Sequence, residues 1–309
     1  MKRILISISL MVAAVMNAWG YDFSVEVPGG KVLYFNKMTK GGVEVTSELD
    51  DVPYYKIALE GELSLPMSVT YEGVSYPVVA VGAHAFADCK GLTIVSIAGS
   101  VVTIGRDAFK GCSGIQTLTI GPSVKSVGDG AFEGCKNVKT LYYNAQSCEF
   151  KSARADENYG LRPMAGSVTR LMIGEGVREL PKQAFHGFVG VKDVLIPVSL
   201  NRIGDGAFYG CSSLKNITFG ASVIKIGNAA FCSCRALEEI DLPVSLTTIG
   251  DRAFAHCSSL KKVQVGSRLK SIGKAAFVGC NSLKSITLPK GCLVVGKGAF
   301  ASGTAVAVK

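Results

Sequence analysis

The residues best suited to chemistry in this chain are its ten cysteines and three histidines. Cys232 and Cys234 form a C-x-C pair, which suggests redox chemistry, but Cys232 occupies a position that other coils fill with Tyr209 or Ala255, so the pattern does not favour it. His256 precedes Cys257 as a base would precede a thiol nucleophile, but neighbours in sequence need not face each other. A zinc site usually needs four converging ligands, and the histidines occur at unrelated positions. We therefore predict no catalytic residue, no metal site and no cofactor, and so no enzyme.

Seven of the cysteines share one position of a repeat, and this argues against disulfides. They are Cys89, Cys112, Cys135, Cys211, Cys234, Cys257 and Cys280. Equivalent residues of neighbouring coils have their Cβ atoms about one strand spacing apart, roughly 4.8 Å. This is wider than the mean Cβ–Cβ distance of about 3.8 Å in a disulfide. We interpret them as small buried hydrophobic side chains with a weak donor. Cys148 stands outside this column, and Cys292 occupies a different inward column.

The cysteines belong to a 23-residue unit, which Ile203 to Lys225 shows in full: I-G-x-x-A-F-x-x-C-x-x-L-x-x-I-x-L-P-x-x-L-x-x. The Phe of the unit recurs at Phe86, Phe109, Phe132, Phe185, Phe208, Phe231, Phe254, Phe277 and Phe300. The one longer step, from Phe132 to Phe185, indicates a longer coil without its Ala-Phe. A fixed period of this size predicts a solenoid, in which each unit buries its apolar positions against its neighbours.

Within one unit, Leu214, Ile217 and Phe219 show the alternation of a short half-buried strand. The segment from Gly204 to Cys211 is too short and too rich in glycine for a stable helix. It predicts a tight or single-turn helical corner that directs Phe208 into the interior.

This template resembles the leucine-rich repeat variant of BspA-like bacterial surface proteins, seen also in treponemal leucine-rich repeat proteins. The resemblance runs from Leu63 to the end of the sequence. It implies an α/β-type repeat solenoid with a parallel β-sheet on the concave face, short turns or single-turn helices elsewhere, and a role in binding macromolecules. The pattern contains no catalytic residues, so none is carried over.

The sequence divides into three parts. Residues 1–20 resemble a signal peptide, with Lys2-Arg3, an apolar run and Ala18-Trp19-Gly20, so we predict export to the cell surface, the medium or the periplasm. Residues 21–62 do not fit the repeat; the short runs Val32 to Phe35, Val43 to Val45 and Tyr54 to Leu59 predict a small N-terminal β cap. Residues 63–309 form the repeat, with an irregular coil at 143–166.

The repeat also predicts which side chains share a surface. Tyr142, Met172 and Leu195 fall at the outward strand position of consecutive coils and predict a contact patch, unless the irregular coil covers them. A second column contains five lysines, which predict an interrupted basic stripe or only a solvated edge. These are Lys139, Lys192, Lys215, Lys261 and Lys284.

We expect the partner to be a protein or a glycan ligand of a host extracellular matrix or a bacterial surface. The net charge of +9 favours anionic partners, but an exported chain without an aromatic-lined basic groove is not expected to bind nucleic acid. No integral membrane span is expected, and the oligomeric state stays open. One alternative is assembly through the last, incomplete coil. Another is carbohydrate binding by exposed rings near Tyr142, Tyr143 and Tyr159.

Overall fold

A computed structural model describes residues 20–49, 55, 59–150 and 160–309. Residues 1–19 of the predicted signal peptide, most of the predicted strand from Tyr54 to Leu59, and Tyr159 lie outside these residues. Within them the chain is a β-solenoid of parallel strands with almost no helix, as the 23-residue period predicts.

The first strands of the chain are antiparallel. They are β1 Phe23–Val27, β2 Lys31–Lys37 and β3 Val43–Thr46. Strand β2 pairs with both neighbours, and β3 then pairs in parallel with β6, so this segment joins the solenoid through a continuous sheet. The strands β5 Ser68–Tyr71 and β6 Val74–Val81 form a hairpin. Glu72 and Gly73 in its turn both have positive φ, which a tight two-residue hairpin turn requires.

Each regular coil contributes one strand to a long-strand face, which carries the L-x-x-I-x-L positions. These strands are β4 Glu60–Ser64, β7 Gly91–Ser96, β9 Thr117–Ile120, β11 Thr140–Tyr143, β13 Arg170–Ile173, β15 Asp193–Leu195, β17 Asn216–Thr218, β19 Glu239–Asp241, β21 Lys262–Gln264, β23 Ser285–Leu288 and β25 Ala305–Val308. Equivalent residues of neighbouring coils lie in register, as Leu118 and Leu141 do.

A second row of two-residue strands forms a short-strand face. Its members are β8 Thr103–Ile104, β10 Ser126–Val127, β12 Glu149–Phe150, β14 Glu179–Leu180, β16 Arg202–Ile203, β18 Lys225–Ile226, β20 Thr248–Ile249, β22 Ser271–Ile272 and β24 Val294–Val295. The row falls into two sheets, one ending at β12 and one starting at β14. The irregular coil lies at this break.

The corners between the faces are turns rather than helices. Gly206 and Gly210 have positive φ, and the Cys211 amide donates to the carbonyl of Phe208, which closes the turn. The one helical segment of the described residues is a 3₁₀-helix at Arg162–Met164, inside the irregular coil.

Phenylalanine rings of the unit lie in the interior, as predicted for Phe208, and they stack in a column. Phe208, Phe231 and Phe254 stack with centroids 5.1 and 5.2 Å apart and rings nearly parallel. The alanine before each phenylalanine is buried as well. Where the irregular coil lacks its phenylalanine, Tyr143 packs edge-on against Phe185 at 5.4 Å.

Candidate interaction surface

Three apolar side chains lie side by side on the outside of the long-strand face. Tyr142 pairs in register with Met172, and strand β15, which carries Leu195, lies beside β13. Strand neighbours of this kind are about 4.8 Å apart. The structure therefore brings together the three residues that the outward column predicts as a contact patch.

Strand alternation keeps these side chains outside. Leu141 and Val194 point into the core, whereas Tyr142, Met172 and Leu195 are 38%, 48% and 63% exposed. The outward residues of the coils on either side are polar, with Thr119 before the patch and Thr218, Asp241 and Gln264 after it. We call Tyr142, Met172 and Leu195 the apolar patch.

Polar and charged side chains border the apolar patch. Thr140 is in register with Arg170, and Asp193 accepts a hydrogen bond of 2.7 Å from the side-chain amide of Asn216. Lys139 and Lys192 are both exposed beside the same strands. An apolar centre with a polar rim is the usual arrangement of a protein-binding surface.

The five predicted lysines are exposed in one column, but Glu238 lies within it. The Glu238 carboxylate is 3.6 Å from the Lys215 ammonium and 3.1 Å from that of Lys261. The hydrogen bond from Lys261 and the charges of Lys261 and Lys215 hold the pKa of Glu238 below its usual value. The lysine column is thus partly neutralised by one carboxylate in its second half.

Of the aromatic residues expected to bind a sugar, only Tyr142 lies exposed in the described structure. The expectation for Tyr143 is wrong, because its ring is fully buried. Tyr143 occupies the inward column of Ile120 and Ile173, so alignment of the repeats would have indicated this. Tyr159 lies outside the described residues.

All ten cysteines lie in the described residues and are free there, including Cys148 and Cys232, and all but Cys292 are buried. Burial raises the pKa of the Cys135, Cys148 and Cys211 thiols to about 12, so these thiols stay protonated. Cys234 donates its thiol proton to the carbonyl oxygen of Phe208 at 3.2 Å and forms no disulfide with Cys232. The C-x-C pair is therefore two packed thiols.

The histidines lie at separate places. Cys257 donates its thiol proton to the carbonyl of Phe231, so its hydrogen bond goes into the core and not to His256. His186 stacks on Tyr209 at 4.8 Å, and burial together with the charge of Arg162 lowers the pKa of His186. Within the described part of the chain, no three His, Cys, Asp or Glu side chains converge as a metal site would require.

Two shallow cavities, which the sequence did not predict, lie on the short-strand side. One of about 340 Å³ is lined by Ser147, Cys148, Glu149, Phe150, Glu179, Pro181 and Lys182. The other, of about 290 Å³, is lined by Val102, Pro122, Ser123, Lys125, Gln146 and Ser147. Both border the irregular coil, and burial raises the pKa of the Cys148 thiol in the larger cavity, so this thiol stays protonated.

No helix among the described residues has the length and apolar character needed to cross a bilayer.

A family model described as BspA type leucine rich repeat region matches residues 69–154 and 178–306, with six copies. The two ranges together cover more than half of the chain.

Several solved structures resemble the chain. A leucine rich cell surface protein from Faecalibacterium prausnitzii is 23% identical, with a TM-score of 0.39, over 91% of this chain and 86% of that one. The T. pallidum leucine rich repeat protein is 22% identical, with a TM-score of 0.39, over 84% and 91%. A leucine-rich repeat protein from Eubacterium ventriosum is 19% identical, with a TM-score of 0.47, over 92% and 95%. No curated protein matches the chain significantly, so the family assignment rests on the family model.

Proposed function

We propose that this chain, which belongs to the BspA-type leucine-rich repeat family, is a non-enzymatic, exported protein that binds another protein through its long-strand face. Membership of this family supports a role in binding other proteins. The finer statement, that binding takes place at the apolar patch on the concave side and serves adhesion, is our inference.

The apolar patch is the observation that carries this proposal. Tyr142, Met172 and Leu195 occupy consecutive coils, and the outward positions of the neighbouring coils are polar. Exposed apolar groups gathered in one place often mark an interface. The solenoid also holds them on a rigid sheet, which lowers the entropy cost of binding.

The absence of enzymatic activity is supported by the chemistry of the groups that could act. The Cys211 thiol donates its hydrogen bond to the backbone carbonyl of Phe185 inside the core. Burial also raises the pKa of the Cys148 and Cys211 thiols to about 12, so both stay protonated. The proposal of export rests on the predicted signal peptide, and attachment to a host matrix or bacterial surface follows from export together with the exposed patch.

The test is a binding screen of residues 21–309, the expected mature chain, against extracellular-matrix proteins and anionic glycans at low and physiological salt. We expect one protein ligand whose binding falls at least about tenfold in Y142S/M172S/L195S, because truncating central apolar side chains costs more than 1 kcal/mol each at a hot spot. The matched control is M67S/I224S/V244S, which removes three exposed apolar side chains elsewhere.

Equal loss of binding in the patch variant and in its control would contradict the patch. A second variant, in which Lys139, Lys192, Lys215, Lys261 and Lys284 become Glu, measures the contribution of the lysine column. If only that variant loses binding, and only at low salt, the site is electrostatic and lies at the edge of the face. Binding to neutral glycans that depends on Tyr142 alone would favour the carbohydrate alternative.

Self-association is a second candidate function, favoured by the exposed apolar side chains of β25. Val306 and Val308 are exposed on this strand, which pairs with β23 on one side. Among the described residues β25 pairs with β23 alone, and an edge strand with apolar side chains tends to pair with another chain. Sedimentation that shows a concentration-dependent mass, abolished by V306S/V308S, would support this candidate, and a strict monomer would exclude it.

A further inference from the structure

The positive charge of the chain is concentrated in its last 58 residues. Residues 1–251 contain 23 Lys and Arg against 24 Asp and Glu, a net charge of −1. Residues 252–309 contain ten Lys and Arg and no acidic residue, a net charge of +10. The ten are Arg252, Lys261, Lys262, Arg268, Lys270, Lys274, Lys284, Lys290, Lys297 and Lys309. The net charge of +9 therefore belongs to one part of the molecule.

All ten of these side chains are exposed, and few are neutralised. Lys261 lies 3.1 Å from Glu238, and Lys262 lies 3.9 Å from Glu239. The other eight have no carboxylate within ion-pair distance among the residues that the structure describes. Eight unpaired cations among residues 252–309 produce a positive electrostatic potential that extends over the surrounding protein surface.

Four of the unpaired cations lie on the short-strand side of neighbouring coils. Lys270 and Lys274 flank β22, and Lys297 follows β24. The Arg252 amide donates to the carbonyl of Lys274, and the Ala275 amide donates to that of Lys297, so the coils that carry these residues are direct neighbours. Their backbones are thus about one strand spacing apart from coil to coil.

Exposed apolar side chains lie among these cations. Leu293 is 85% exposed and Val294 is 62% exposed. Both occupy outward columns, because the equivalent residues one coil earlier are the exposed Lys270 and the partly exposed Ser271. We call Arg252, Lys270, Lys274 and Lys297, with Leu293 and Val294, the basic face.

We propose that the basic face binds the surface of an anionic lipid bilayer. Cations near such a surface are attracted by its lipid phosphates, and apolar side chains between them can enter the headgroup region, where they leave water. A soluble polyanion would satisfy the cations but would leave Leu293 and Val294 in water. The apolar residues therefore favour a bilayer over a free polyanionic chain.

The test is co-sedimentation of residues 21–309 with vesicles of phosphatidylglycerol and phosphatidylcholine, and with phosphatidylcholine alone. We expect binding to the anionic vesicles only, weakening as salt is raised. Because one Lys or Arg near an anionic surface contributes roughly fivefold in affinity, R252Q/K270Q/K274Q/K297Q should bind at least about tenfold more weakly. L293S/V294S should also bind more weakly, at unchanged net charge.

The matched control is K90Q/K125Q/K136Q/K225Q, which removes the same net charge from exposed positions outside the basic face, the lysine column and the border of the apolar patch. It should bind anionic vesicles within about twofold of the unchanged chain. R252K/K270R/K274R/K297R keeps every charge and should retain binding, while thermal unfolding of each variant reports whether the fold is intact.

Equal weakening in the two glutamine variants would overturn the proposal, because net charge alone would then govern binding. It is also overturned if the unchanged chain fails to bind anionic vesicles. If dextran sulfate binds as tightly as the vesicles and L293S/V294S has no effect on either, the face takes a soluble polyanion and not a bilayer. None of these variants alters the apolar patch, so failure here leaves the protein-binding proposal standing.

Discussion

The thiol of Cys211 donates a hydrogen bond of 3.2 Å to the carbonyl oxygen of Phe185, in the preceding coil. The same bond joins five further pairs at 3.0 to 3.2 Å: Cys112 to Phe86, Cys135 to Phe109, Cys234 to Phe208, Cys257 to Phe231, and Cys280 to Phe254. The cysteine column is therefore a line of donors that links coil to coil inside the core. The backbone amide of Phe188 also donates to the Phe185 carbonyl, at 3.3 Å, so the thiol is a second donor to that oxygen, and alanine would not supply it.

We expect Cys211→Ala to destabilise the protein by about 1–2 kcal/mol, because it removes a buried donor and leaves a small void. Cys292→Ala is the control, since Cys292 is only partly buried. The measurement is the midpoint of urea unfolding followed by circular dichroism. A Cys292→Ala variant as damaged as Cys211→Ala would show that the thiol hydrogen bond contributes nothing.

Stability should fall as the pH rises above 9. Burial raises the pKa of Cys211 from 9.0 to about 12, and that of Cys89 to about 11. The unfolded chain thus releases these protons near pH 9 while the folded chain keeps them, so the stability that burial of the neutral thiol provides is full below pH 9 and is lost between about 9 and 12. Urea midpoints at pH 8, 9 and 10 test this, and Cys211→Ala should reduce the slope between them. A flat profile in the unchanged chain would contradict the prediction.

Phe231→Ala should cost about 3–5 kcal/mol, since the ring is buried and stacks on Phe208 and Phe254 at 5.1 and 5.2 Å. Phe300→Ala should cost less, because Phe300 is partly buried and has one stacked neighbour, Phe277 at 5.6 Å. Urea unfolding of both variants provides the comparison. Equal costs would mean that stacking between coils does not determine stability.

The sequence predicts the strands and the phenylalanine column well, because a 23-residue period repeats every inward position many times. It also predicts that Tyr142, Met172 and Leu195 share a face, since strand alternation and register follow from the same period. The expectation that Tyr143 binds a sugar is wrong, because Tyr143 shares the inward column of Ile120 and Ile173 and is buried. Its position in the repeat, and not its aromatic type, determines which way the ring points.

Other features depend on distances between coils, which the sequence does not contain. The link from Cys211 to Phe185 needs a thiol aimed at one carbonyl, and the pattern identifies only a buried small side chain. The larger cavity, beside Cys148, lies where the short-strand sheet breaks between β12 and β14. The repeat spacing marks the irregular coil at this point but does not indicate that a cavity forms there.

Glu238→Gln should strengthen binding to a sulfonate cation exchanger, so that elution needs more salt. The substitution frees Lys215 and Lys261, which the Glu238 carboxylate now holds at 3.6 and 3.1 Å. Glu26→Gln is the control, because it changes the net charge equally at an exposed site on β1. Equal shifts in elution for the two variants would show that net charge alone governs retention.

Gly250→Ala should disrupt the stacking of coils, because the glycine of each Ile-Gly step packs directly on the coil before it. A Cβ atom at position 250 would lie 2.6 Å from the carbonyl carbon of Gly227 and 2.7 Å from the backbone nitrogen of Asn228. Backbone atoms at this distance cannot move aside as a flexible side chain can, so the two coils must separate, at a cost of about 1–3 kcal/mol or more in folding free energy.

Gly166→Ala is the matched control, since a Cβ there meets no atom within 4 Å. Urea unfolding should therefore show a clear loss for Gly250→Ala and little change for Gly166→Ala. If both variants unfold at the same midpoint as the unchanged chain, the glycine column reflects turn geometry alone and not the close approach of neighbouring coils.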